Sequence, residues 1–373
     1  MIYVFYNNDP LAQDLGGGAE HFRCIHRALL ASGLPFRLVA ARLQRGAGPP
    51  YLTYISKGSN FLRFWLGLWW WFFCHRLDFT DEDVFHFHRN YAAWPKLVLC
   101  PRRGSVVVSY HNVSGRVLEG LLGTLGRPVR SLMLKLERQV ARLADAIVCV
   151  SRRDRAELGR IVVTEPFERA EVIPAAFDSA AFAGRRVSPP PPELATRLLV
   201  LGRISHQKNV GLAIATLEEL VTTGEDATLT IAGRGEGARD LVQRIATSPC
   251  RDRIRWVGAV PHDDVPDLLE RHGILLLTSR YEASPTVVKE ALRAMRPVVS
   301  TDVGDVADWL DVDRTGFVCD ATPVSLAMGV RRAARLVREG RYRHTEKIAM
   351  LDEEAIMGEV MHLYRRLSAA ASF

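Results

Sequence analysis

The sequence is short of the features that would tie it to export, to a metal or to a membrane span. Cysteine is sparse: six residues (Cys24, Cys74, Cys100, Cys149, Cys250 and Cys319), scattered and without a CxxC pair. That spacing supplies neither a disulfide framework nor a zinc site, and it suits a reducing cytosol. The opening "MIYVFYNNDP" has no basic leader and no small-residue cleavage site, so the expectation is a cytoplasmic protein. Long apolar runs are also missing. The stretch Phe64 to Cys74 is 11 residues, against the roughly 20 that cross a bilayer. The Asp-rich fragments "DED" (81–83) and "DVD" (311–313) do not follow a strand in the second half of the chain. Both read as surface loops, and no metal is expected. Low hydrophobicity is absent too: 48% hydrophobic and 24% charged residues exclude a disordered chain.

What is present begins with length and charge. At 373 residues the chain is too long for one ordinary core and comfortable for two domains. The formal net charge is +7, and residues 101–160 hold all of it: twelve Arg or Lys less five Asp or Glu is seven. Such a segment suits an anionic partner, whether nucleotide phosphates, nucleic acid or an acidic membrane surface. Nucleic acid is disfavoured because the aromatic residues lie in a separate segment instead of alternating with the basic ones.

Short Val- and Ile-rich runs alternate with helical patterns. In the first half they are 2–6, 36–40, 84–87, 106–110, 146–150 and 171–173; in the second, 198–202, 228–233, 254–258, 274–279, 297–301 and 316–320. Between the two sets lies "AGRRVSPPPPELATR", whose four prolines read as an extended linker. Alternation of this kind builds a parallel sheet covered by helices on both faces, and here it occurs twice. The predicted architecture is α/β: two Rossmann-like domains facing one another across a cleft, with ligands at the carboxyl ends of the strands. The predicted boundaries are 1–182, a linker at 183–196, a second domain at 197–345 and a C-terminal helix at 346–373 packing back on the first domain.

The stretch "YEASPTVVKEALRAM" follows the predicted strand "ILLLTS". Ser284 reads as an N-cap and Pro285 as the first helical residue, with Val287, Val288, Ala291, Leu292 and Met295 as the buried stripe. The free amides of Thr286 and its neighbours at the helix start make an anion site. Glu282 stands beside that site in the loop, and Glu290 lies about one and a half turns inside. One carboxylate near an anion and another farther along match the layout of a nucleotide sugar. In "LGRISHQKN", Arg203 and Lys208 follow another strand and suit a departing diphosphate. In "NNDPLAQDLGGGAEH", Gly17 and Gly18 let backbone approach a phosphate or sugar, but the GxGxxG pattern of NAD sites is incomplete. His111 stands just past the strand 106–110, at its carboxyl end.

Taken in order, "GGAEH", "DAIVCVSRRD", "LGRISHQKN", "IAGRGEG", "WVGAVPHDDVPDLLERHGILLLTSRYEASPTVVKEALRAMRPVVSTDVG" and "TGFV" resemble glycosyltransferase family 4, retaining enzymes of the GT-B fold. The resemblance implies a hexosyltransferase working without a metal or other cofactor on a UDP- or GDP-linked sugar. It implies that Glu282 and the backbone after it hold the transferred sugar, that Glu290 binds the ribose, and that Arg203 and Lys208 stabilise the diphosphate. It further implies that Ser284, Pro285 and Thr286 line the donor site, that His111 contacts the sugar, that Gly17 and Gly18 face the phosphates, and that Arg234 lies at the base. The chain departs from the family pattern at three places. Glu-Gly-Phe becomes Glu282-Ala283-Ser284, Asn-Gly becomes Ala175-Ala176, and Gly-Gly becomes Gly304-Asp305.

The run "FLRFWLGLWWWFFCHRL" (61–77) and a basic helix near 127–143 suggest a peripheral place on the inner face of the plasma membrane. On a helical projection Arg127, Arg130, Lys135, Arg138 and Arg142 lie opposite Leu132, Leu136, Val140 and Leu143. The predicted acceptor is a saccharide or a polyprenyl-linked glycolipid, in cell-surface polysaccharide or glycolipid assembly. The alternatives are a nucleotide-sugar epimerase, a phosphorylase (disfavoured because no lysine motif for pyridoxal phosphate is evident) and a non-catalytic scaffold subunit of the same fold.

Overall fold

The structure, a computed structural model, describes residues 1–11, 17–42, 48–58, 60–111, 126–162, 170–185, 187–343 and 345–370. Residues 12–16 of the glycine-rich segment and Arg116 of the basic one fall outside this set, as do the side chains of Arg127 and Arg130. The chain forms two compact units, Met1–Ala176 with Glu354–Phe373, and Phe177–Glu353.

Unit 1 runs β1 (Ile2–Tyr6), α1 (Gly17–Ser32), β2 (Phe36–Arg42), β3 (Leu52–Lys57), α2 (Phe61–His75), β4 (Val84–Phe87), α3 (Trp94–Leu99), β5 (Ser105–Tyr110), α4 (Gly126–Leu143), β6 (Ala146–Cys149), α5 (Arg152–Val162) and β7 (Ala170–Val172). Its sheet has the order β3-β2-β1-β4-β5-β6-β7, and every pairing is parallel. Both faces are covered, so the central strands β1 and β4 are buried along their whole length instead of alternating with exposed residues. Tyr3 and Phe5 of β1 join Phe64, Leu68, Trp71 and Phe72 of α2 in one core layer, while Val4 and Tyr6 meet Phe22 and Ile25 of α1 in the other.

Unit 2 runs β8 (Arg197–Leu201), α6 (Val210–Thr222), β9 (Thr228–Ala232), α7 (Ala238–Ala246), β10 (Ile254–Gly258), α8 (Val265–Glu270), β11 (Ile274–Leu277), α9 (Thr286–Arg293), β12 (Val298–Thr301), α10 (Val306–Trp309), β13 (Gly316–Cys319) and α11 (Pro323–Arg338). Its parallel sheet has the order β10-β9-β8-β11-β12-β13. The last helix, α12 (Glu353–Ala370), returns to unit 1, where Ile356, Met357, Val360 and Tyr364 enter the α1 layer.

The double α/β architecture stands as expected, with several differences of detail. The strand β3 escapes the sequence pattern because it is an edge strand whose residues are mostly half-buried. The unit boundary falls after Ala176, earlier than position 182, because Phe177 and Phe182 bury their rings in unit 2's core. The proline segment is extended at Pro191 and then makes a 3-10 turn over Pro192–Leu194. It is tied to unit 2 by a hydrogen bond from Arg296 Nη1 to the Ser188 carbonyl. The helical pattern read from Thr345 onward is broken at Asp352 into a 3-10 turn (Glu346–Leu351) and α12.

The surface reading of 311–313 stands, with Val312 and Asp313 exposed, while that of 81–83 changes at one residue. Asp83 of "DED" is buried, where it accepts the Thr80 N–H at 2.7 Å. Asp311 of "DVD" pairs with Lys347 at 2.8 Å, and the hydrogen bond from Lys347 lowers its pKa. The basic helix α4 buries Glu137, Val140 and Ala141, with Ala144 buried just after it, and leaves Leu132 and Leu143 exposed beside Lys135, Arg138 and Arg142. The predicted division into a basic arc and an opposing leucine arc therefore fails. The core of unit 1 takes the face carrying Val140 and Ala141 instead.

Candidate active site

Each sheet reverses its strand order once, between β1 and β4 in unit 1 and between β8 and β11 in unit 2. At such a point two neighbouring strands send their following loops to opposite sides, which leaves room for a ligand at the carboxyl ends.

In unit 2 the loops after β8 and β11 carry the predicted residues, and side-chain bonds join them. Lys208 Nζ lies 2.7 Å from Glu282 Oε1, with the two side chains 20% and 10% exposed. Ser279 Oγ donates to the same carboxylate oxygen at 2.6 Å, and Gln207 Nε2 donates to the Tyr281 carbonyl at 2.9 Å. Thr278 Oγ1 donates to the carbonyls of Lys208 and Asn209 at 3.2 and 3.1 Å. The Glu282 carboxylate is therefore oriented before any ligand arrives, and an oriented acceptor is what recognition of sugar hydroxyls requires.

Glycine makes the crossing of the neighbouring loops possible. A Cβ on Gly233 would stand 1.8 Å from the Gly202 carbonyl oxygen, and one on Gly235 would stand 2.2 Å from that of Ile204. Arg203 and Arg234 are both exposed on these loops, after β8 and β9. The Ile204 N–H donates to the Arg234 carbonyl at 2.9 Å, which fixes the two arginines' backbones relative to each other.

The helix after β11 begins one residue later than the sequence suggests. Pro285 is the N-cap, and no side chain caps α9. The Ser284 hydroxyl is engaged elsewhere, accepting from Lys289 Nζ at 2.7 Å and donating to Asp305 Oδ2 at 2.5 Å. Thr286 opens the helix and Glu290 is buried on it, with its carboxylate 4.0 Å from His262 Nδ1. Uncapped amides and the helix dipole give this terminus a positive potential. A cavity of about 830 Å³ in the same unit opens at the amino ends of β8, β9 and β10, around Arg197, Thr228 and Ile254. It contains none of the predicted residues.

In unit 1, Gly17 opens α1, and a Cβ on Gly18 would stand 3.1 Å from the Tyr6 hydroxyl. His111 follows β5, and it belongs to a cluster that sequence reasoning missed. His111 Nε2 lies 3.0 Å from His88 Nδ1, and the His21 ring lies 5.3 Å from that of His111. His21 Nδ1 accepts the N–H of Ala176, one of the two alanines at the family's Asn-Gly position. His86, two residues before His88, bonds Tyr364 Oη at 2.5 Å and Ser109 Oγ at 2.7 Å. Burial lowers the pKa of His86 to about 3 and holds His88 and His111 well below the ordinary imidazole value. The signal available was the alternation "FHFHR" at the end of β4, which sends both histidines to one side of the sheet.

Ring nitrogens of His21, His88 and His111 lie within 4.8 Å of one another, so this set presents three imidazole donors. A tetrahedral ion with bonds of about 2.0–2.1 Å needs nitrogens roughly 3.3 Å apart. His21 Nδ1 is already committed to a backbone amide. The set fits a neutral hydrogen-bonded cluster better than a metal site.

Two parallel-sheet α/β units, each with one strand-order reversal, define a protein built of two Rossmann-like domains. Residues 186–345 match the family described as "Glycosyl transferases group 1", and residues 15–181 match "Glycosyltransferase Family 4". The chain belongs to this glycosyltransferase family, and its fold is of the GT-B class. It is 31% identical over 258 residues to a glycogen synthase of Mycobacterium tuberculosis, a match covering 67% of this chain and 59% of that protein. The chain thus spans well under two thirds of that relative's length. Among solved structures, a sucrose-phosphate synthase from Thermosynechococcus elongatus superimposes with a TM-score of 0.74 at 18% identity, covering 99% of each chain. Anabaena HepE in complex with UDP-glucose gives 0.70 at 15% identity, covering 98% of this chain and 99% of that one. Likeness at these identities concerns the fold.

Proposed function

We propose that the protein transfers a sugar from a nucleotide-sugar donor to a saccharide or lipid-linked saccharide acceptor, with retention at the anomeric carbon and without a metal. The observation that carries this reading is the Lys208–Glu282 pair, on the two loops at the carboxyl end of unit 2's switch point that also carry Arg203 and the uncapped start of α9. As the bond from sugar to phosphate breaks, the diphosphate gains negative charge. Two cationic side chains and oriented amides stabilise that charge most where water is excluded, which is the task a divalent ion performs elsewhere. Glu282 takes the sugar hydroxyls, Glu290 the ribose, and Arg234 the region of the base. Retention follows when a leaving phosphate oxygen accepts the acceptor's proton on the face the diphosphate leaves. Unit 1 takes the acceptor.

UDP is the first base to try, because a neighbour of the same fold was solved with UDP-glucose. A thermal-shift panel of UDP, GDP and ADP with their sugar esters tests the reading. One base class should stabilise the protein, and Glu290→Ala should abolish the effect. Absence of any shift would refute donor binding. Transfer of label to an acceptor in the presence of EDTA, with the anomeric configuration of the product read by NMR, tests retention and metal independence. A scaffold subunit would bind the nucleotide and release no labelled product.

We also propose that unit 1 rests on an anionic membrane surface. Leu62, Leu66, Trp70 and Phe73 form an exposed stripe at helical spacing, on the side of α2 opposite its buried residues Phe64, Leu68, Trp71 and Phe72, and exposed Leu77 follows in the turn after the helix. Exposed Arg63 and Arg76 flank the stripe. An apolar stripe edged by cations suits an interface between lipid tails and acidic headgroups. Among the described residues, no helix is long and apolar enough to cross a membrane.

A further inference from the structure

Two of the places where the sequence departs from the family pattern lie far apart in the chain and touch in space. Ser284 stands in the Glu282 loop and Asp305 follows β12, and Ser284 Oγ donates to Asp305 Oδ2 at 2.5 Å. A third residue closes the arrangement. Lys289 Nζ donates to Ser284 Oγ at 2.7 Å and lies 3.9 Å from Asp305 Oδ2. Lys289 is fully buried, and Asp305 is 3% exposed. The Lys289 ammonium also sits 5.8 Å from the centre of the Trp309 ring.

A buried ammonium and a buried carboxylate are costly unless each answers the other, so neither is a neutral replacement for a glycine or an apolar residue. Their position suggests what they do. Gly304, at φ +55°, lets the turn after β12 lie against the loop, since a Cβ there would be 2.5 Å from the Ala283 carbonyl oxygen. Thr301 Oγ1 donates to the Ser279 carbonyl at 2.7 Å. The loop is thus held at its entry by Thr301, in its middle by Gly304, and at its exit by Asp305 and Lys289 acting on Ser284. Lys289 has an electrostatic role as well. A lone carboxylate behind the α9 terminus would oppose an arriving diphosphate, and the ammonium cancels it.

We propose that Lys289 and Asp305 are positioning residues that act through Ser284 to fix the peptide segment 282–284 against the transferred sugar of the donor. They set the sugar end of the site and leave the nucleotide end to Arg203, Arg234 and Glu290. This inference rests on the donor reading above.

The test compares calorimetric Kd values for the one of UDP, GDP and ADP that best stabilises the wild type, and for its tightest-binding ester among UDP-glucose, UDP-galactose, UDP-N-acetylglucosamine, GDP-mannose and ADP-glucose. Ser284→Ala and the charge-neutral pair Lys289→Met with Asp305→Asn are the variants, and circular dichroism checks their fold. In both, Kd for the nucleoside diphosphate should stay within about threefold of wild type while Kd for the ester rises about tenfold, a selective loss of about 1.4 kcal/mol. Lys289→Met alone should weaken both ligands, because it leaves Asp305 uncompensated. Unchanged Kd ratios in folded variants, or equal losses for both ligands in Ser284→Ala, would overturn the inference. A wild type that binds none of the nucleotides would overturn the donor reading and this inference with it.

Discussion

Lys208 and Glu282, which enter from loops on either side of unit 2's strand-order reversal, are joined by a contact of 2.7 Å between Nζ and Oε1. The sequence assigns them separate tasks, the diphosphate for one and the sugar for the other. The structure makes each the support of the other. Their pairing keeps two charges oriented at the point where phosphate and sugar would meet, so the site is organised before the ligand binds.

Removing both partners should therefore cost less than the sum of removing each alone. Lys208→Met is expected to destabilise unit 2 by about 2 kcal/mol, less than the 3–5 typical of fully buried pairs because the lysine keeps some solvent. Glu282→Gln should cost about 1 kcal/mol, since Ser279 still finds an acceptor. The double variant should cost less than the sum, measured as a coupling energy by denaturant melts. Additive losses would show that the two charges do not interact.

Much of this was legible before the fold. Arg203, Lys208, Glu282 and Glu290 stood out because each follows a strand pattern at its carboxyl end, and strand patterns are read well when both faces are buried. The contacts between distant segments were not legible. Nothing in "YEASPTVVKEA" says that Lys289 turns inward, since a lysine on a helix is normally solvated. Asp305 read only as a departure from the family's Gly-Gly, since the partner that accounts for it stands 21 residues away. The histidine cluster stayed hidden for the same reason, as His21, His88 and His111 come from three elements. The error on α4 has a different cause. A projection that sorts cations from leucines assumes that the largest apolar residues face inward, and here the core takes alanines and Val140 while Leu132 and Leu143 stay exposed.

The buried histidines of unit 1 make a prediction about acid. Their folded-state pKa values lie below the unfolded value of about 6.5, so the folded state binds fewer protons than the unfolded one. Stability is then complete above pH 6.5 and falls as pH drops, with His86 contributing to the loss down to its value of about 3. At pH 5 the loss from His86 alone should be about 2 kcal/mol. His86→Gln, able to bond both Tyr364 and Ser109, should flatten the dependence of Tm on pH between 7 and 5. A slope equal to that of wild type would mean that His86 is not buried neutral.

The exposed stripe of α2 predicts vesicle binding that separates from stability. Wild type should sediment with vesicles of phosphatidylglycerol and phosphatidylcholine at low salt, and much less with pure phosphatidylcholine or at 0.5 M salt, an ionic strength well beyond roughly 0.1 M where screening is already strong. Leu66→Ser with Trp70→Ser should reduce binding about tenfold while changing stability by less than about 0.5 kcal/mol for each exposed position. Equal sedimentation of wild type and variant would remove the stripe from the interaction.

Two glycines with left-handed backbones separate close packing from conformational strain. Gly224 has φ +91° and no neighbour within 4 Å of an added Cβ, so Gly224→Ala should cost only the strain of its backbone, about 1 kcal/mol. Gly233 has φ +144°, and an added Cβ would stand 1.8 Å from the Gly202 carbonyl oxygen. Gly233→Ala adds a clash that only backbone movement relieves, and its cost should exceed that of Gly224→Ala by about 2 kcal/mol. The displaced backbone is the one that carries Arg203 and Arg234, so the same variant should also lose nucleotide-induced stabilisation while Gly224→Ala keeps it. Equal Tm changes for the two variants would mean that the loops after β8 and β9 are not in the contact on which the placement of those arginines depends.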